Sequence, residues 1–254
     1  MERLTFLGTG TSTGVPMIGC SCKVCLSPSA KDKRLRSSVW IEAGGVSVVI
    51  DTSTDFRTQA LTAGIARLDA VFFTHHHADH IHGIDDLRSF NFIHRRAVPC
   101  YGTPDALERI KGMFCYIFDG KPDTGGGKPM LELIPITAAV MIGSLTLEPI
   151  PVLHGDLGVY GYRVNGTAYV TDCSRIPDSS LRRLMGLDCL ILGALGLKRH
   201  PTHFTLEQAL DVIATLAPKR AYLTHLNHNI GHDEVSANLP PGVFLAYDGL
   251  SIGI

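Results

Sequence analysis

A chain of 254 residues with 45% hydrophobic side chains can bury a sizeable core, and its net charge of -1 argues against a duplex or an anionic membrane as partner. No apolar run approaches the ~20 residues of a bilayer span, and the start MERLTFLGTGTSTG has no basic-then-apolar leader pattern. The expectation is a cytoplasmic protein, with no membrane partner and with nucleic acid disfavoured, and its seven cysteines are then not a disulfide framework.

In chain order, a first strand is predicted at residues 4–7, running into Leu7-Gly8-Thr9-Gly10. Cys20, Cys22 and Cys25 follow, crowded into six positions, and that spacing points to metal rather than redox pairing. Cys100, Cys115, Cys173 and Cys189 stand singly among apolar residues and read as small buried hydrophobes. Strands are predicted at 46–50 and 70–73, then a helix over 104–113 with Pro104 where a first turn tolerates it. Residues 121–129, rich in glycine, proline and lysine, read as an exposed loop. Further strands are expected at 145–147, 161–164, 168–170, 189–192 and 221–223, with a helix over 205–216. Strands arrive in succession and helices follow, twice over. That order suggests sheets packed face to face with helices outside, in one domain spanning 1–254.

Three apolar runs end in threonine followed at once by a ligand-type side chain: Thr74-His75, Thr171-Asp172 and Thr224-His225. A fourth run, Pro151-Val152-Leu153, leads straight into His154. Each places a histidine or carboxylate just past the carboxyl end of a predicted buried strand, where a rigid sheet aims loop residues into a shared cleft. His75-His76-His77-Ala78-Asp79-His80 is the densest of these segments. Its imidazoles and carboxylate suit zinc, and also manganese or iron. His75 and His77 can face one ion while Asp79 and His80 face another.

The segment Thr74-His75-His76-His77-Ala78-Asp79-His80-Ile81-His82-Gly83 resembles the T-H-x-H-x-D-H-x-x-G signature of the metallo-β-lactamase superfamily. The resemblance runs from Leu7-Gly8-Thr9-Gly10 to Asp248-Gly249 and implies an α/β fold, an αββα sandwich with metals at the sandwich edge. It implies that His75, His77 and His154 hold one ion, that Asp79, His80 and His225 hold a second, and that Asp172 bridges them. Asp51 would be the buried acid that orients a ligand histidine. His76 and His82 fall at variable positions of the motif. His94 reads as part of a polar surface cluster with Arg95 and Arg96, and His232 as a helix-start residue.

Three thiolates are one ligand short of a closed zinc site. Thr224-His225-Leu226-Asn227-His228 supplies a second histidine close after His225. The pair of motifs resembles a phosphodiesterase subfamily typified by the phosphoribosyl 1,2-cyclic phosphate phosphodiesterase of the carbon–phosphorus lyase pathway. That resemblance implies a structural zinc on Cys20, Cys22, Cys25 and His228. It also implies a catalytic role for His203 in His200-Pro201-Thr202-His203-Phe204-Thr205, with His200 as the alternative proton donor.

The activity expected is therefore hydrolysis of a small, cyclic phosphodiester by two divalent ions, zinc or manganese, sharing a hydroxide, with Asp79 and His203 closest to the chemistry. A tRNA 3′-processing endonuclease shares the Leu7-Gly8-Thr9-Gly10 start and the metal set, but no long basic insertion resembling that family's tRNA-binding arm is present. A thioester hydrolase of glyoxalase type fits the cysteine motif and the second histidine less well. The sequence leaves the oligomeric state open, a homodimer included.

Overall fold

The strongest regularity of the chain is that its apolar runs are buried on both faces. In a computed structural model, which describes residues 2–121 and 127–254, they form two seven-stranded sheets. In chain order the first strands are β1 (Arg3–Gly8), β2 (Ser38–Ala43), β3 (Val46–Ile50), β4 (Ala70–Phe72), β5 (Val98–Gly102), β6 (Leu131–Pro135) and β7 (Val140–Ile142). The others are β8 (Leu145–His154), β9 (Leu157–Val164), β10 (Thr167–Val170), β11 (Cys189–Gly193), β12 (Arg220–Thr224), β13 (Val243–Leu245) and β14 (Ser251–Gly253). One sheet has the order β14-β1-β2-β3-β4-β5-β6, the other β13-β12-β11-β10-β9-β8-β7. In each, a run of antiparallel pairings gives way to parallel ones, from β3 to β6 and from β10 to β13. Helices supply the parallel crossovers, so the predicted two-fold succession of strands and helices is the architecture observed, an αββα sandwich.

Side chains alternate across each strand, and in these sheets both faces find a dry partner. Phe6, Val48, Ile50, Phe72, Tyr169 and Ile191 fill the space between the sheets. Their sequence neighbours Leu7, Val49, Val71 and Phe73 face the helices over the first sheet, and Ala168, Val170, Leu190 and Leu192 those over the second. This is why the strands read as continuous apolar runs rather than alternating ones. The helix Leu206–Leu216 lays Ala209, Ile213 and Leu216 on the second sheet. It starts at a capping box, in which Thr205 Oγ1 accepts from the Gln208 N–H at 3.2 Å and Gln208 Oε1 accepts from the Thr205 N–H at 3.0 Å. The helix Pro104–Met113 starts where predicted, with Thr103 Oγ1 accepting from the Ala106 N–H at 3.0 Å.

Several expectations need correction. The strands β2, β5, β6, β7, β13 and β14 were not predicted, because Ser38, Glu42, Pro99, Glu132 and the short C-terminal runs break the apolar signal while sheet pairing still holds the backbone. Cys115 is exposed, because it opens the short helix Cys115–Phe118 on the surface; the other single cysteines are buried as expected. Residues 122–126 of the predicted loop lie outside the described residues. Among the described residues no helix is long and apolar enough to cross a membrane.

Asp248, just before β14, ties the C-terminal segment to the segments that follow β1 and precede β2. Its Oδ1 accepts from the Thr9 N–H at 2.9 Å and the Thr9 hydroxyl at 2.8 Å, and its Oδ2 from the Leu35 N–H at 2.7 Å. Deleting the carboxylate leaves two partly buried amides without an acceptor. Asp248→Ala should cost about 3 kcal/mol or more, lowering the Tm by roughly 6–12 °C in calorimetry. A change of less than about 2 °C would show that water replaces the carboxylate at no cost.

Candidate metal centre

The carboxyl ends of β3, β4, β8, β10 and β12 converge on one edge of the sandwich. Asp51, Asp172 and His225 leave their strands with φ of 65°, 46° and 58°. Left-handed backbone is uncommon outside glycine, though Asp and His tolerate it better than most, and it costs on the order of 1 kcal/mol per residue. Three such residues, at the ends of β3, β10 and β12, turn their side chains back over the sheet edge. His154 differs from the expected pattern only in being the last residue of β8 itself.

Asp51 is fully buried and organises the histidine-rich loop. Its Oδ1 accepts from the Thr74 N–H at 2.8 Å, and its Oδ2 from the Thr74 hydroxyl at 2.8 Å and His80 Nδ1 at 2.7 Å. Burial pushes the Asp51 carboxyl up, and His80 and Thr74 pull it back. The opposite nitrogen, His80 Nε2, lies 3.3 Å from Asp79 Oδ2 and 3.2 Å from Asp172 Oδ2. Burial alone would depress His80, but Asp172, Asp79 and Asp51 together hold it well above the usual imidazole range. Burial likewise pushes Asp79 and Asp172 up, yet the surrounding histidines hold both below the usual carboxylate range.

His75 Nε2 lies 2.9 Å from His77 Nδ1, and the His75 ring sits 5.5 Å from that of His154. His154 Nδ1 donates to the Thr202 carbonyl at 2.7 Å, which turns Nε2 toward the other histidines. Burial drives His75 well below its ordinary value, and burial followed by His154 lowers His77, so both favour the neutral, ligating form.

The predicted ligands thus come together in two sets of donor atoms lying within 4.8 Å of one another: His75, His77 and His154, and Asp79, His80, Asp172 and His225. Asp172 also groups with His154 and His203. The chemistry of the donors fits divalent metal. His80 Nε2 and His225 Nε2 are buried nitrogens with no hydrogen-bond partner among the described residues, the first of them against Asp79 and Asp172. His203 stacks on His225 at 5.0 Å, edges onto His154 at 4.5 Å, and places Nδ1 3.8 Å from Asp172 Oδ1. Burial, then His225, pushes His203 down to about 3. His200 is exposed beside it, its Nδ1 within 3.1 Å of Thr202 Oγ1. His76 and His82 stay outside the cluster, as does His94 at the end of the helix Arg88–His94; His232 starts the helix His232–Ser236, as read from the sequence.

A second cluster joins opposite ends of the chain. Cys20, Cys22 and Cys25 place sulfur 3.2, 3.6 and 3.6 Å from His228 Nδ1. Ligand lengths of ~2.3 Å for Zn–S and ~2.0 Å for Zn–N give tetrahedral edges of about 3.5 Å, so the spacing suits one zinc. The Cys25 N–H, donating to Cys22 Sγ at 3.4 Å, leads the effects that lower Cys22 to about 6, which makes a thiolate available at neutral pH; burial pushes Cys25 up to about 11. Arg34, buried, holds the turn that carries His228 by donating to the Ile230 and Asn227 carbonyls at 2.8 and 3.3 Å. Arg34 and Thr202 were not singled out from the sequence, because their partners lie far along the chain and they carry no ligand chemistry of their own.

Residues 47–226 match the model of the beta-lactamase superfamily domain, and the chain belongs to the metallo-β-lactamase superfamily. Among solved structures it is similar to a crystal structure described as a new diphosphatase from the PhnP family, with a TM-score of 0.93 and 43% identity over 100% of this chain and 98% of the other. Among curated proteins it is 40% identical, over 98% of its length, to a Porphyromonas gingivalis protein named octanoyltransferase. It is 28% identical, over 64% of its length, to ribonuclease Z of a Bradyrhizobium species. The chain spans about half the length of these two curated relatives, 51% and 49%.

Cys22→Ala should remove one tightly held zinc per chain and lower the Tm, while the metal content of the histidine–aspartate cluster is unchanged, since a closed zinc site contributes folding energy directly. Elemental analysis beside calorimetry checks this. An unchanged Tm with lost turnover would instead place the thiolate cluster in the chemistry.

Proposed function

We propose that this chain is a metal-dependent phosphodiesterase acting on a small phosphodiester, a cyclic one among the candidates. His75, His77 and His154 would hold one divalent ion, and Asp79, His80 and His225 a second, with Asp172 shared. When bound, two such ions supply a nucleophilic water near neutral pH and offset charge on phosphoryl oxygens. A separate zinc on Cys20, Cys22, Cys25 and His228 would be structural.

The observation that carries the reading is the position of His203. It lines the same cluster, against His154 and His225, yet its Nδ1 stays 3.8 Å from the nearest carboxylate oxygen, Asp172 Oδ1, leaving it available to a substrate. In the free chain burial, then His225, favour its neutral form. An anionic phosphoryl group beside it would offset the burial and restore its basicity, so it would protonate the leaving oxygen once substrate is bound. The full-length likeness to a PhnP-family diphosphatase supports a phosphoryl substrate. The ribonuclease Z relatives favour a nuclease as the second reading. The octanoyltransferase name belongs to a relative about half of which has no counterpart here. A kinetic screen of the metal-analysed protein against cyclic ribose phosphates, linear diesters, precursor tRNA and an acyl thioester separates these readings. Turnover confined to thioester or tRNA would overturn the proposal.

His203→Ala should lower kcat by ~10²–10⁴-fold on a cyclic ribose phosphate while both ions remain bound. A diester with a nitrophenolate leaving group needs little protonation and should lose much less. Equal losses on both substrates, with metal content unchanged, would remove the proton-donor role. A loss confined to KM would mean that His203 binds the phosphate in the ground state.

A further inference from the structure

A histidine that ligates through Nε2 needs its Nδ1–H held by an acceptor, because that hydrogen bond sets both the tautomer and the ring orientation. At this cluster His80 has Asp51 for that purpose and His154 has the Thr202 carbonyl. His75 Nδ1 has Thr74 Oγ1 at 3.0 Å, and the Thr74 proton is already directed to Asp51. His225 Nδ1 makes no hydrogen bond to a carboxylate or carbonyl among the described residues. It has a hydroxyl that the metal motifs do not contain.

Ser37, immediately before β2, is fully buried. Its Oγ lies 3.1 Å from His225 Nδ1 and 3.0 Å from the Gly10 carbonyl oxygen. A serine hydroxyl has one proton, and a carbonyl can only accept. The Ser37 proton therefore goes to Gly10, and Oγ is left to accept from His225 Nδ1–H. Asp172 Oδ2 is 3.2 Å from the same nitrogen but makes no hydrogen bond with it, so it does not compete for that proton. The remaining nitrogen, Nε2, is the one buried without a partner. Glycine is needed at position 10, because a Cβ there would lie 2.9 Å from the Arg34 carbonyl oxygen and push the strand end away.

We propose that Ser37 is a positioning residue for the second ion: its hydroxyl, oriented by the Gly10 carbonyl, fixes His225 as the Nδ1–H tautomer and presents Nε2 to the ion shared with Asp79, His80 and Asp172. The assignment rests on the dinuclear reading given above. It makes three distant segments interdependent, since Gly10 follows β1, Ser37 precedes β2 and His225 follows β12.

Long-range proton–nitrogen spectra of zinc-loaded protein carrying ¹⁵N-histidine read the tautomer directly. The expected result is His225 with a slowly exchanging Nδ1 proton and a metal-bound Nε2. In chelator competition, Ser37→Ala should hold one ion about 10–100-fold more weakly than wild type, while the other cluster ion and the thiolate zinc are unaffected. The metal-free variant should remain folded and melt only a few degrees below the metal-free wild type, as the loss of one buried acceptor requires. Finding His225 bound through Nδ1 in the wild type would overturn the proposal, and this spectrum needs no variant to fold. Two cluster ions held by folded Ser37→Ala as tightly as by wild type would also overturn it. A wild-type cluster that binds fewer than two ions would instead defeat the dinuclear reading, and this assignment with it.

Discussion

Three carboxylates, Asp51, Asp79 and Asp172, are buried around one knot of histidines, and burying that much negative charge demands positive charge beside it. With protein atoms alone the demand falls on His80, which the carboxylates hold well above its ordinary value against the pull of burial. A protonated His80 is a poor answer, because its Nε2 finds no hydrogen bond among the oxygens around it. Divalent ions would satisfy the same oxygens and at the same time use the orphaned nitrogens of His80 and His225. On that proposal the rest of the site keeps those lone pairs pointed inward. Asp51, Thr74, Thr202 and Ser37 each hold the outer nitrogen of one imidazole.

The scaffold makes this arrangement affordable. Strand ends buried between sheet and helices on both faces are rigid, and they hold Asp51, Asp172 and His225 in left-handed backbone that a looser framework would relax. The thiolate cluster and Arg34 add a second constraint. They fix the turn three residues beyond His225, so the last ligand is held from both sides. The geometry of the candidate site and the stability of the fold are thus built from the same segments, and Asp248 draws the two chain ends together beside them.

Much of this was legible in the sequence, for physical reasons. Runs such as Val71-Phe72-Phe73 and Ala168-Tyr169-Val170 announce doubly buried strands, and a threonine–ligand step marks their ends. The histidine motif, His154, Asp172 and His225 were therefore readable one segment at a time, as were the clustered cysteines. What stayed hidden depends on pairing across the chain. Ser37 meets His225 across 188 positions and Arg34 meets Ile230 across 196, and neither residue type signals metal chemistry. The amphipathic or interrupted strands β2, β5 and β6 were hidden likewise, since neighbouring strands rather than local propensity hold them.

The central claim is that the sandwich edge is a dinuclear metal centre, distinct from the thiolate cluster. Anomalous diffraction at the zinc edge from crystals of zinc-replete protein tests it most directly. The account predicts three peaks: one among His75, His77 and His154, one among Asp79, His80 and His225 with Asp172 between the two, and one enclosed by Cys20, Cys22, Cys25 and His228. A single peak or none at the histidine–aspartate cluster, with the thiolate peak at full height, would contradict it.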